Sequence, residues 1–367
     1  MKIALIVPGG VDRSGRERVV PVLLWLIERL ARRHSLHVFV LDYYAEPCTY
    51  QLFGATIHDL GRITGPPGFR RIRVAARLAT ALRQHGPFDV AHAYWGMPAG
   101  VAAAAVAQQV RVPTVVTLSS GELVSLNDIS YGLQRRWPDR QAIRRMLRRA
   151  SAITVPTSYM ASQLAAHRRE PVIIPMGVDS TRFVPSTRAD GPPWRLIRVA
   201  SINRVKDYPT LLRAIAALPD SVTLDIVGED TLGGAMQRQA NELGIDRRVT
   251  FHGWQPTERL ATRYQSAHIN VVSSRHEACN VTMLEAACAG IPTVGTLVGH
   301  VADWHPDRAV GVPIGDSPAL AGAILSLLRD SDRRERIAAN ARQWALAHDA
   351  DWTANRFETL YDTVIRA

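Results

Sequence analysis

The chain of 367 residues is 47% hydrophobic and 21% charged, the balance of a globular protein long enough for two domains, each with its own core. Three scattered cysteines, Cys48, Cys279 and Cys288, exclude a disulfide framework and paired metal-ligand spacing, and fit a reducing, cytoplasmic setting. The net charge of +11 is almost wholly arginine, Lys2 and Lys206 being the only lysines, and an arginine-rich surface identifies no partner by itself.

The first apolar run, residues 3–7, is stopped by Pro8-Gly9-Gly10. It is too short for a signal peptide and reads as a buried strand. No run approaches the roughly 18 apolar residues of a membrane span. Residues 19–33 follow as an amphipathic helix, with Leu23, Leu24, Ile27 and Leu30 on one face. Strands are expected at 36–41, 88–92 and 114–118, with a buried alanine-rich helix between the last two. Another is expected at 152–156, before a helix capped by Ser158. Residues 185–193, rich in proline and without apolar periodicity, read as a linker.

The second half repeats the alternation. Strands are expected at 195–200, 223–227, 249–251, 269–272 and 293–296, and helices at 209–218, 233–243, 258–266 and 281–289. Strand–helix alternation predicts an α/β protein: two doubly wound, Rossmann-like parallel-sheet domains facing a cleft. The expected division is an N-terminal domain at 1–185, a C-terminal domain at 186–350 and a closing helix at 351–367.

The strand at 269–272 leads into Ser273-Ser274-Arg275-His276-Glu277-Ala278-Cys279-Asn280-Val281-Thr282-Met283-Leu284-Glu285. Such a loop lies at the carboxyl end of the sheet, where α/β proteins bind ligands. Asn280 is the expected N-cap, and the first amides of the helix, at Val281 and Thr282, form an anion site with its dipole. Glu285, one turn in, suits a sugar diol better than a phosphate. Glu277, in the loop, can accept hydroxyls from a second sugar. Lys206 is a compact point charge suited to a phosphate in a tight space. Together these describe a nucleotide-sugar site; the plainer alternative is a surface Glu277 and a helix-pairing Glu285. Gly9, Gly10 and Gly15 match neither a dinucleotide fingerprint nor a Gly-Lys-Ser/Thr loop, although a glycine turn can bring backbone close to a phosphate.

The segments together resemble the GT-B-fold retaining glycosyltransferases of family 4, the group 1 glycosyl transferases. Ile174-Pro175-Met176-Gly177-Val178-Asp179, with Phe183 and Pro185, is similar to the family's Ile-Pro-Asn-Gly-Val-Asp signature. Ser201-Ile202-Asn203-Arg204-Val205-Lys206-Asp207 resembles its basic phosphate loop, 277–292 its Glu-x7-Glu segment, and Val298-Gly299-His300 its Val-Gly-Gly turn. The resemblance implies that Lys206, assisted by Arg204, neutralises a donor diphosphate. It implies that Glu285 holds the ribose hydroxyls and Glu277 the transferred sugar. Asn280, Val281 and Thr282 would hold sugar and phosphate, with Gly15 approaching from the N-terminal domain. Two departures stand out: Ala278 replaces a common glycine, and Ser119 stands where many members carry an acceptor-side histidine. His92, at the end of a neighbouring strand, is then a candidate catalytic group.

The implied reaction is transfer of a hexose with retention, and without a bound metal or other cofactor. Its partners would be a nucleotide-sugar donor and a glycan or lipid-linked acceptor. Asp330/Asp332 and Asp349/Asp351 have a spacing that could chelate a diphosphate through Mg²⁺, but neither pair follows a strand, so both read as caps and turns. The segment 135–149 holds seven arginines and one acid, Asp139, with Ile143, Met146 and Leu147 interleaved. It suits a helix lying at the inner face of an anionic membrane, the alternative being a solvated face; without a nucleic-acid-binding motif, nucleic acid is not expected. Competing functions are a GT-B hydrolase or epimerase of a nucleotide sugar, and an inactive sugar-nucleotide-binding protein at a membrane.

Overall fold

The computed structural model describes residues 1–367, the side chain of Pro67 apart. The chain divides into two units, Met1–Met176 with Ala350–Ala367, and Gly177–Asp349.

The first unit carries β1 (Lys2–Val7), β2 (Ser35–Val40), β3 (Cys48–Leu52), β4 (Ala55–Asp59), β5 (Val90–Tyr94), β6 (Thr114–Thr117), β7 (Ala152–Val155) and β8 (Val172–Ile173). They form one sheet in the order β3-β4-β2-β1-β5-β6-β7-β8. Only β3 and β4 pair antiparallel. β1 lies between β2 and β5, and Ile3 to Val7 are wholly buried. A strand covered on both faces reads as an unbroken apolar run, which is what residues 3–7 are. Its helices are α1 (Pro21–Ala31), α2 (Pro67–His85), α3 (Val101–Val110), α4 (Trp137–Arg149) and α5 (Ser158–Leu164). The cap of α5 is Thr157, whose Oγ1 accepts the Met160 amide at 3.2 Å; Ser158 is already helical.

The second unit is a six-stranded parallel sheet of β9 (Trp194–Val199), β10 (Val222–Val227), β11 (Val249–Phe251), β12 (Ile269–Val272), β13 (Thr293–Thr296) and β14 (Ala309–Val312). The order is β11-β10-β9-β12-β13-β14. Counted within the unit this is the doubly wound order 3-2-1-4-5-6, whose direction reverses between β9 and β12. The helices are α6 (Tyr208–Ala216), α7 (Ala235–Glu242), α8 (Thr257–Ser266), α9 (Val281–Cys288), α10 (His300–Trp304), α11 (Ser317–Arg329) and α12 (Ser331–Ala347). Leu196, Leu211, Ile215, Leu224, Val271 and Ile324 centre its core. Asp330 caps α12, accepting the Arg333 amide at 2.9 Å.

The unit boundary falls ahead of the proline-rich linker. Residues 177–185 already belong to the second unit, with Phe183 buried edge-on to Tyr264 at 5.9 Å. The last helix, α13 (Ala350–Arg366), packs on α1 and β5 of the first unit. Phe357 and Tyr361 are its buried face, and Arg29 Nε reaches Asp351 at 3.1 Å.

Candidate functional site

β9 and β12 deliver the site to the reversal point of the second sheet. After β9 the chain makes a short turn, Arg204–Lys206, which Asn203 caps by accepting the Lys206 amide at 3.3 Å. The loop after β12 is stitched to this turn. The Arg275 amide donates to Val205 O at 2.8 Å, and Ser273 Oγ to Lys206 O at 2.8 Å. The two loops therefore form one piece, which fixes Lys206 beside Glu277.

The Lys206 ammonium bonds both oxygens of Glu277, at 2.7 and 2.9 Å. Ser274 Oγ donates to Glu277 Oε1 at 2.6 Å, and Arg198 Nη2 donates to Ser274 Oγ at 2.7 Å. Arg198 Nη2 also lies 3.7 Å from Glu277 Oε1 and is fully buried. Burial pushes the Glu277 carboxyl up, but Lys206 and Arg198 outweigh it and leave the group below its usual range. Two cations against one carboxylate leave a net positive cluster. Lys206 remains 22% exposed, and an ammonium has three N–H donors. Arg204 sits on the same turn with an exposed side chain. Gly299, at φ +53, lets the next loop close on this cluster: a Cβ there would stand 3.0 Å from Glu277 Cβ.

α9 begins at Val281, but Asn280 does not cap it with its side chain. Asn280 takes a left-handed φ of 60°, and its Oδ1 accepts from Thr282 Oγ1 at 2.9 Å. Thr282 Oγ1 also lies 3.1 Å from Val199 O, tying the first turn of α9 to the end of β9. Glu285 is buried and bonds Tyr264 rather than Lys206. Tyr264 Oη carries one proton and stands 3.0 Å from both Thr282 O and Glu285 Oε2. The carbonyl can only accept, so both contacts are hydrogen bonds only when Glu285 is protonated and donates to the phenol. Burial agrees, pushing the Glu285 carboxyl up to about 8 against a smaller opposing effect of Tyr264.

Lys206, Glu277, Asn280, Val281, Thr282 and Glu285 are thus gathered in the second unit, with Arg198 and Tyr264 as additions. An arginine inside the apolar strand Leu196-Ile197-Arg198-Val199 was the available signal for the first. Tyr264, on the core face of an ordinary amphipathic helix, gave none.

Gly15, His92 and Ser119 lie in the first unit. Gly15 has φ +64, a left-handed turn that favours glycine, and donates its amide to Asp12 O at 2.9 Å. Ser119 follows β6, with Oγ 3.1 Å from Met176 Sδ. Beside it the buried Glu122 accepts the Gly96 and Ser120 amides at 2.9 and 2.7 Å, which anchors the loop. His92 does not stand at an open strand end. It is completely buried under α13, with Nδ1 2.6 Å from Tyr361 Oη and Nε2 2.7 Å from Thr117 Oγ1. Burial lowers its pKa to about 3, and with both ring nitrogens bonded inside the core it is placed as a neutral packing ring rather than at an open catalytic position.

Two doubly wound units, the second with a buried carboxylate clamped by cations at its reversal point, define a ligand-binding enzyme scaffold of the GT-B type. Residues 179–344 match the family described as glycosyl transferases group 1, and residues 19–177 match the glycosyl transferase 4-like domain; the chain belongs to this family of glycosyltransferases. It is similar to the D-inositol 3-phosphate glycosyltransferase of Mycolicibacterium smegmatis, 30% identical over 298 residues, covering 74% of this chain and 68% of the relative. The enzyme of that name from Corynebacterium urealyticum is 28% identical over 309 residues, covering 76% and 72%. Among solved structures, sucrose-phosphate synthase from Thermosynechococcus elongatus superposes over 100% of both chains with a TM-score of 0.83 at 20% identity. HepE of Anabaena, solved in complex with UDP-glucose, superposes with a TM-score of 0.75 at 18% identity over 99% of this chain and 100% of that one. At these identities the superpositions show the fold.

Proposed function

We propose that the protein transfers a hexose from a nucleotide-diphosphate sugar to a glycan or lipid-linked acceptor, with retention at the anomeric carbon and without a bound metal. The observation that carries this reading is the clamped carboxylate. Glu277 is kept ionised among Lys206, Arg198 and Ser274, so it can accept sugar hydroxyls while the surplus positive charge faces a diphosphate. The relatives' name, D-inositol 3-phosphate glycosyltransferase, agrees with glycosyl transfer, and the structural neighbour solved with UDP-glucose favours a nucleotide-sugar donor.

In this reading Lys206, Arg204 and the first amides of α9, at Val281 and Thr282, neutralise charge growing on the leaving diphosphate, the role otherwise open to a metal. Glu285 takes the ribose diol. Glu277 orients the sugar. The anomeric carbon loses its bond to the diphosphate oxygen and gains one to the acceptor oxygen on the same face. The acceptor's proton passes to the departing diphosphate, so no side-chain base is needed.

The test is a panel of UDP-, GDP- and ADP-sugars, each with and without a lipid and glycan extract, with and without EDTA. Acceptor-dependent release of nucleoside diphosphate, unchanged by EDTA and giving a product of retained configuration by NMR, is expected. Release without acceptor means hydrolysis instead. Loss with EDTA, or an inverted product, removes that part of the reading.

A further inference from the structure

Three large apolar side chains stand out from one face of the first unit. Phe69 and Ile72 on α2 are 70% and 68% exposed, and Trp137 at the start of α4 is 64% exposed. Ile72 and Trp137 flank a groove of about 390 Å³, floored by Val101, Ala104 and Ala105 of α3. Single exposed apolar residues are ordinary, but several around one groove mark an interaction site.

The charge around the groove has one sign. Arg140, Arg144 and Arg148 form an exposed row at four-residue spacing on α4, and Arg145 and Arg149 line the groove. α2 carries Arg70, Arg71, Arg73, Arg77 and Arg83 and no acid, although Arg70 pairs with Asp42 and Arg77 donates to Leu60 O, so the free charge comes mainly from α4. The acid of α4, Asp139, is buried and already paired with Arg71. The apolar residues interleaved along α4 do not face outward: Ile143, Met146 and Leu147 are in the core. The outward apolar contribution therefore comes from Trp137 and from α2.

We propose that this face docks on an anionic phospholipid bilayer. Phe69, Ile72 and Trp137 enter the boundary between headgroups and acyl chains, and the exposed arginines of α4, Arg140, Arg144 and Arg148, engage lipid phosphates. A nucleic acid would satisfy the arginines, but it offers Ile72 and the apolar groove floor nothing to enter. The site lies within the first unit and is independent of the donor chemistry proposed above, so its test omits nucleotide sugar.

The experiment is co-sedimentation of the full chain with vesicles of phosphatidylcholine alone and of phosphatidylcholine with about 30% phosphatidylglycerol. Two variants accompany it, Phe69→Ser/Ile72→Ser/Trp137→Ser and Arg140→Glu/Arg144→Glu/Arg148→Glu. All six positions are exposed, and unchanged thermal midpoints will show that both variants fold. Binding to the anionic vesicles only, weakened about tenfold or more by each variant, is expected. Equal binding to both vesicle types, no binding to either, or wild-type binding by either variant overturns the proposal. So does tighter binding to duplex RNA than to anionic vesicles at the same salt.

Discussion

The ammonium of Lys206 grips both oxygens of Glu277, at 2.7 and 2.9 Å, and the two residues come from loops that follow neighbouring strands. The pair therefore couples the structure of the reversal point to its charge. Lys206→Ala leaves Glu277 with Arg198 as its remaining cation. It should destabilise the fold by about 1–3 kcal/mol and weaken nucleoside diphosphate binding at least tenfold. Urea unfolding and calorimetric titration measure the two effects separately. Wild-type affinity in this variant would remove Lys206 from the site.

Arg198 and Arg204 make opposite predictions. Arg198 is buried and holds Ser274 and Glu277 in place, whereas Arg204 is exposed on the turn. Arg198→Met should cost about 3 kcal/mol, because it strips a buried network of a charged partner. Arg204→Ala should stay within about 0.5 kcal/mol while lowering diphosphate affinity. Midpoints of urea denaturation decide between them.

How much of this was legible in the sequence depends on where each signal came from. The alternation of buried strands and helices was plain, because parallel strands covered on both faces write themselves as apolar runs. The hairpin β3–β4 was not. Its turn is Phe53-Gly54 with both φ positive, at 50° and 85°, and phenylalanine is not a turn residue by chemistry. Helix α2, rich in arginine and short of leucine, hid in the same way. Within the site the spacing of Glu277 and Glu285 was visible, but their partners were not. Which carboxylate meets Lys206 is decided by the stitching of two loops far apart in sequence. His92 looks like a site residue in the sequence because its covering, Tyr361, arrives from the last helix, 269 residues away.

Tyr361→Phe tests that covering. The substitution keeps the ring and leaves His92 Nδ1 without its partner in a site that water does not reach. A loss of about 1–3 kcal/mol is expected, with the pH profile of turnover near neutrality unchanged. A shifted profile would return His92 to the chemistry.

Gly299→Ala should act through Glu277. At φ +53 the added methyl is strained, and it would press on Glu277 Cβ at 3.0 Å and on the Glu277 carbonyl oxygen at 3.1 Å. A cost of about 1–3 kcal/mol and a fall in turnover larger than the fall in diphosphate affinity are expected, since the displaced group is assigned to the sugar. Stability and the two kinetic constants are the measurements.

Glu285 gives the protein a pH dependence of unusual sign for a carboxylate. Its pKa rises from 4.5 to about 8 on folding, so between those values the native state holds a proton that the unfolded chain has released. Stability contributed by this group is intact below the unfolded value and declines as pH climbs toward about 8. Within that window each step of one pH unit costs up to about 1.4 kcal/mol. Glu285→Gln keeps a neutral side chain that can still donate to Tyr264, and it cannot ionise. The wild type should therefore lose stability from about pH 5 to about pH 8 relative to the variant, and the two curves should converge at the acid end, where both side chains are neutral. Parallel curves across that range would show that Glu285 is ionised in the folded protein, and that the proton between it and Tyr264 is not there.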